Sequence, residues 1–114
     1  MLTIDALKEF GADTEEGLGR CLGNEALYLR LVGTVPGEPN FDKLAEAIEQ
    51  KDLDTAFEMA HALKGALGNL SLTPIAGPVS ELTELLRART DMDYSELLQK
   101  VLAGREALRA IVEA

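Results

Sequence analysis

Leu53-Asp54-Thr55-Ala56-Phe57-Glu58-Met59-Ala60-His61-Ala62-Leu63-Lys64-Gly65-Ala66-Leu67-Gly68-Asn69-Leu70 is the stretch from which the rest of this 114-residue chain can be read. At about 100° per residue, Ala56, Met59, Ala60, Leu63, Ala66, Leu67 and Leu70 gather on one side of a helix, which predicts a core-facing stripe. His61 projects roughly 160° from the middle of that stripe and is expected in solvent. Its neighbours on the outer face are Phe57, Glu58, Lys64, Gly65 and Gly68. Glycine inside a helix costs about 1 kcal/mol relative to alanine, and on an exposed face close helix packing cannot be the reason for it. Gly65 and Gly68 therefore leave bare backbone beside an accessible imidazole, where another protein's surface could approach. Lys64, three residues after His61, can reach back towards an anion attached to the ring.

Working outward, every segment reads as helix. Lys51-Asp52 ends the preceding segment, whose stripe is Phe41, Leu44, Ala45 and Ile48, and Asp52 caps the central one. Before it, Pro36-Gly37-Glu38-Pro39 predicts a loop or sharp kink, because proline lacks an amide donor and disfavours helix in the residue before it. Asn24 caps a segment with Leu27, Tyr28, Leu31 and Val32 on one face. Two short helices come first. Thr3 caps one, with Leu2 and Leu7 as a staple and Gly11 as its end; Asp13 and Glu16 form a capping box for the other, ended by Gly23. On the C-terminal side, Thr73-Pro74 reads as a cap followed by proline, with Ile75, Val79, Leu82 and Leu86 along one side. Asp93 and Glu96 suggest a second capping box, with Met92 and Leu97 as its staple. Tyr94, Leu97, Leu98, Val101, Leu102, Leu108, Ile111 and Val112 then carry a stripe to the end. Short links between the last segments imply antiparallel neighbours. The expected fold is all-α: an antiparallel up-and-down four-helix bundle with short extra N-terminal helices, one domain over residues 1–114.

Composition sets limits on function. With 46% apolar and 27% charged residues, the chain can build one cored domain but hardly two, which excludes a multidomain enzyme. Aromatic residues are only 4% and tryptophan is absent, so Leu, Ala, Ile and Val must fill the interior. Eleven Lys and Arg against 20 Asp and Glu give a net charge of -9, the wrong sign for gripping nucleic acid or anionic lipid. Cys21 is the single cysteine and His61 the single histidine, so neither an internal disulfide nor a Cys/His zinc site can form. Cys21 and the methionines follow apolar stripes and are expected in the core. Met1-Leu2-Thr3-Ile4-Asp5 lacks the pattern of a signal peptide, and no stretch reaches the roughly 18 apolar residues of a membrane span. A cytoplasmic setting is expected, and no apolar stripe demands a dimer, so the expected state is a monomer.

His61-Ala62-Leu63-Lys64-Gly65, late in the second long helix of an all-helical chain, resembles the signature of histidine-containing phosphotransfer (HPt) domains. The likeness takes in the short N-terminal helices, the Asn24 to Tyr28 entry into a long helix and the Lys51-Asp52-Leu53 turn. Two departures stand out: Ala66 and Leu67 occupy positions where serines are common, and Ser71 stands where glycine often ends the helix. The resemblance implies that His61 accepts a phosphoryl group from an aspartyl phosphate on a response-regulator receiver domain and passes it to another receiver. By position, Lys64 is the phosphate neighbour and Gly65 the gap for the receiver's active-site edge. Phe57, Glu58 and Gly68 complete the expected partner-binding face, Glu58 being also a candidate to orient the ring by a hydrogen bond.

On this reading the chain is a phosphocarrier with no cofactor or metal of its own, since magnesium would sit in the partner receiver. No P-loop or kinase signature is present, so it is not expected to act as an autonomous kinase. Partners are receiver domains or a hybrid sensor histidine kinase, not nucleic acid or membrane. A second reading is a helical module that binds a receiver or another protein without taking up phosphate. A hydrolase or metal enzyme is poorly supported, because no acid-base partner lies at a suitable spacing.

Overall fold

The computed structural model describes residues 2–114; Met1, part of the stretch read against a signal peptide, lies outside them. The described residues form seven α-helices and one 3-10 turn, with no strand. They are α1 (Ile4–Phe10), α2 (Thr14–Arg20), α3 (Glu25–Thr34), the 3-10 turn (Val35–Gly37), α4 (Pro39–Glu49), α5 (Leu53–Asn69), α6 (Thr73–Arg87) and α7 (Ser95–Val112). Helices α4 to α7 pack each on the next, and α7 returns to touch α4 and the 3-10 turn. No helix is long and apolar enough to cross a membrane.

Local chemistry explains the starts. Thr3, Asp13, Asn24 and Asp52 each accept a hydrogen bond from the amide three residues on, at 3.0 to 3.2 Å, satisfying donors that the first turn leaves unpaired. The Asp52 carboxyl is held below the usual carboxylate range by its hydrogen bonds to Thr55. The proline pair resolves into a split: the 3-10 turn ends α3, then Pro39 opens α4 while Glu38 accepts from the Asn40 amide at 3.2 Å. Arg109 of α7 locks this turn by donating to the Pro36 carbonyl at 2.9 Å.

The core holds Leu7, Tyr28, Val32, Phe41, Leu44, Ala56, Ala60, Leu63, Leu67, Ile75, Val79, Leu82, Leu86, Val101 and Leu108, with Cys21 also buried. Residues from α1 and α3 thus share one interior with α4 to α7. Three layers of contact fasten the N-terminal helices to the turn between α5 and α6. The Tyr28 hydroxyl donates to the Leu70 carbonyl at 2.8 Å, the Asp13 amide to the Ser71 carbonyl at 3.0 Å, and the Ser71 hydroxyl to Glu16 Oε1 at 2.8 Å. Burial pushes the Tyr28 phenol above its ordinary value.

Several expectations need correction. The box at Asp13 and Glu16 is one-sided, because the Asp13 amide is already taken by Ser71 and the Glu16 carboxylate turns to Ser71 and Arg20. Helix α2 stops at Arg20 and not at Gly23, with Leu22 and Gly23 both left-handed. Thr73 is the first residue of α6 and caps nothing: Leu72, between the helices, donates its amide to the Leu67 carbonyl of α5 and accepts from the Ile75 and Ala76 amides of α6, so one residue serves both ends. Pro78 lies inside α6 and leaves the Pro74 carbonyl without its helical donor. Asp93 accepts from the Ser95 amide at 2.9 Å instead of pairing with Glu96, because buried Tyr94 takes the capping position. Met92 is exposed, so it neither staples α7 nor enters the core. Ala66 is exposed and Met59 half-buried, not core as the wheel implies. The split at Val35–Gly37 leaves a pocket over that flank of α5, lined by Leu31, Val35, Phe41, Leu63 and Ala66 among others.

Candidate functional site

Capped by Asp52, α5 runs unbroken to Asn69 and buries Ala56, Ala60, Leu63 and Leu67. That stripe leaves the opposite side to solvent, and His61 is exposed there. One turn earlier, the half-buried Phe57 ring stacks on the imidazole at 5.7 Å between centroids and 11° between planes. The Arg87 guanidinium of α6 covers Phe57 at 5.0 Å from its centroid, within the range of a cation-π contact. Arg87 Nε donates to Glu84 Oε2 at 2.9 Å, and the other carboxylate oxygen of Glu84 lies 3.7 Å from Lys64 Nζ. Hydrogen bonding and charge from Arg87, with a smaller contribution from Lys64, hold the Glu84 carboxyl below its ordinary value. The aromatic pair and the ion pairs therefore ring the histidine from Phe57 round to Lys64. Lys64 reaches across to α6 and does not fold back over His61.

On the other side of the imidazole the surface is bare. Nothing lies within 4 Å of where a Cβ would stand on Gly65 or Gly68. These glycines floor an open groove of about 350 Å³ lined by Arg20, His61, Lys64, Gly65, Gly68 and Asn69. Arg20 enters from α2, donating to Asn69 Oδ1 at 3.4 Å and to Glu16 Oε1 at 3.2 Å. The pocket over Ala66 is more enclosed, about 280 Å³, but has no histidine, lysine or arginine in its lining. The groove, not that pocket, holds the histidine.

The expected residues thus fall together in part. His61, Lys64, Gly65 and Gly68 share the groove, Phe57 stacks beside it, and Glu58 is exposed without a hydrogen bond to the ring. Sequence reasoning missed Arg20, Asn69, Glu84 and Arg87. Only Asn69 lies on the same helix as His61, and the others arrive from α2 and α6, beyond the reach of spacing within one segment. Among the described residues no group of three or more His, Cys, Asp or Glu is placed to hold a metal ion.

An exposed imidazole with an unobstructed flank is a nucleophile that a large partner can reach. The family model described as the Hpt domain matches residues 37–114. No curated protein and no solved structure matches the chain. The match takes in α4 to α7 and the whole of the His61 helix, while the resemblance drawn at Asn24 to Tyr28 and in the short N-terminal helices lies outside it. Since it spans more than half of the chain, this protein belongs to the Hpt domain family, the phosphocarriers of two-component phosphorelays.

Proposed function

We propose that His61 takes a phosphoryl group from the aspartyl phosphate of a response-regulator receiver domain and returns it to the aspartate of another. A ring-nitrogen lone pair attacks phosphorus in line with the aspartyl oxygen; the new N–P bond forms as the O–P bond breaks, and its electron pair leaves with the carboxylate. The ring keeps its other proton. Onward transfer reverses the roles, the next carboxylate attacking phosphorus and the imidazole leaving. The receiver's active site supplies magnesium and lysine, so this chain needs no cofactor and does not act as a kinase by itself. Lys64 is the phosphate neighbour once a phosphoryl group draws it from Glu84, and Phe57, Glu58, Gly65 and Gly68 face the docked receiver. Free receivers or a hybrid kinase are the donors, acting in the cytoplasm on a monomeric carrier.

The observation that supports this most directly is the exposed imidazole beside glycine backbone with nothing within 4 Å of either missing Cβ. Incubation with a phosphorylated receiver is expected to place an acid-labile, base-stable phosphoryl group on the protein. His61→Gln should remove it while leaving the helical circular dichroism and the melting curve in place. Uptake that persists in that variant rejects the assignment, and receiver binding without any uptake selects the non-phosphorylated interaction module.

A further inference from the structure

The groove has a composition at odds with the molecule that carries it. Across the chain 20 acidic residues outnumber 11 basic ones, yet the groove lining includes Arg20 and Lys64 and no carboxylate. Its two ends do different things. His61 stands at one, and Asn69, which receives Arg20, lies eight residues on, about 12 Å along the helix axis. Asn69, with Arg20 bonded to it, thus marks the end of the groove remote from His61.

Arg20 is also held ready. Its guanidinium is tied to Asn69 and to Glu16, and the Glu16 carboxylate is fixed in turn by the hydroxyl of buried Ser71 at 2.8 Å. An arginine ordered before binding gives up less side-chain freedom when a partner arrives. The planar fork keeps further N–H donors for a carboxylate, the group it recognises best. A receiver that holds magnesium beside an aspartyl phosphate carries one or two carboxylates there besides the phosphorylated one, which leaves an acidic rim. Such a rim, seated on His61 and extending along the glycine floor, meets a cation where the groove ends.

We propose that Arg20, brought by α2 to the end of the groove remote from His61, is a docking residue that pairs with an acidic side chain on the rim of the receiver's phosphorylation site. The inference rests on the phosphotransfer reading and adds to it a residue outside the stretch matched by the family.

The test measures transfer from one phosphorylated receiver over a range of receiver concentrations, for wild type, Arg20→Lys, Arg20→Gln and Arg20→Glu. Phosphoramidate labelling of His61, in which ammonia leaves and no protein partner takes part, runs alongside. Arg20→Gln is expected to raise KM about two- to fivefold at low salt, Arg20→Glu more, and Arg20→Lys least, with kcat and phosphoramidate labelling unchanged. The difference should shrink as salt is added. Equal KM across the series overturns the proposal. So does a fall in phosphoramidate labelling, which would put Arg20 at the phosphoryl group. If wild type takes phosphate neither from a receiver nor from phosphoramidate, the functional reading itself fails, before any Arg20 variant is needed.

Discussion

Gly65 and Gly68 set stability against access. With nothing within 4 Å of either missing Cβ, alanine at each position meets no clash and should stabilise α5 by about 0.5–1 kcal/mol. On the proposed reading the same methyl groups stand where a receiver approaches, so transfer to Gly65→Ala or Gly68→Ala is expected to slow while the melting temperature rises. Thermal denaturation paired with a transfer assay checks the two signs, and a variant that melts later but transfers normally removes the glycines from the docking face. Gly17 behaves in the opposite way: a Cβ there would lie 2.5 Å from Cε1 of fully buried Tyr28. Gly17→Ala should cost about 1–3 kcal/mol, read as a lower denaturation midpoint. Glu84 supplies a pH signature. Its folded value is depressed, so its contribution is complete above the unfolded value of 4.5 and is lost as pH falls through the lower folded one. Carboxyl NMR should show Glu84 titrating below the ordinary glutamate value, and Arg87→Ala should return it towards that value.

At the scale of the element, α1, α2, α4, α5 and α6 close alike. In each a left-handed residue is followed by one whose amide donates back to the carbonyl five residues before it: Ala12 to Leu7, Gly23 to Leu18, Asp52 to Ala47, Leu72 to Leu67 and Thr90 to Leu85. Glycine takes the left-handed place after α1, but Leu22, Lys51, Ser71 and Arg89 take it elsewhere, with φ between 54° and 58°. Ser71 thus does what a glycine would do there, which accounts for one departure from the family pattern. Lys51 is exposed, and Lys51→Gly is expected to raise stability by about 1 kcal/mol, measurable by urea denaturation. These endings explain what the sequence could and could not say about the elements. Thr3, Asp13, Asn24 and Asp52 were legible as caps because the side chain that accepts the bond is itself the signal. Thr73 and the Asp93–Glu96 pair misled because buried Leu72 and Tyr94 claim the capping positions, and burial is decided by the other helices.

For the molecule as a whole, the interior draws on more of the chain than the family match covers. Leu7, Tyr28 and Val32 are fully buried within the interior that α4 to α7 enclose, and all three precede residue 37. A fragment of residues 37–114 should therefore lose the sharp unfolding transition of the full chain, as calorimetry would show; an equally cooperative melt would mean that the N-terminal helices are an appendage. The same layering explains why the site was half legible. His61, Lys64, Gly65 and Gly68 share one helix, so periodicity alone assembles them, whereas Arg20, Glu84 and Arg87 are gathered by the packing of separate helices. The exposure of the imidazole has a last implication. A side chain that contributes almost nothing to the interior is not guarded by the need to fold. A descendant that lost His61 would be synthesised, would persist and would resist proteolysis much as its parent does. On the proposed reading, only its silence in the relay would betray the change.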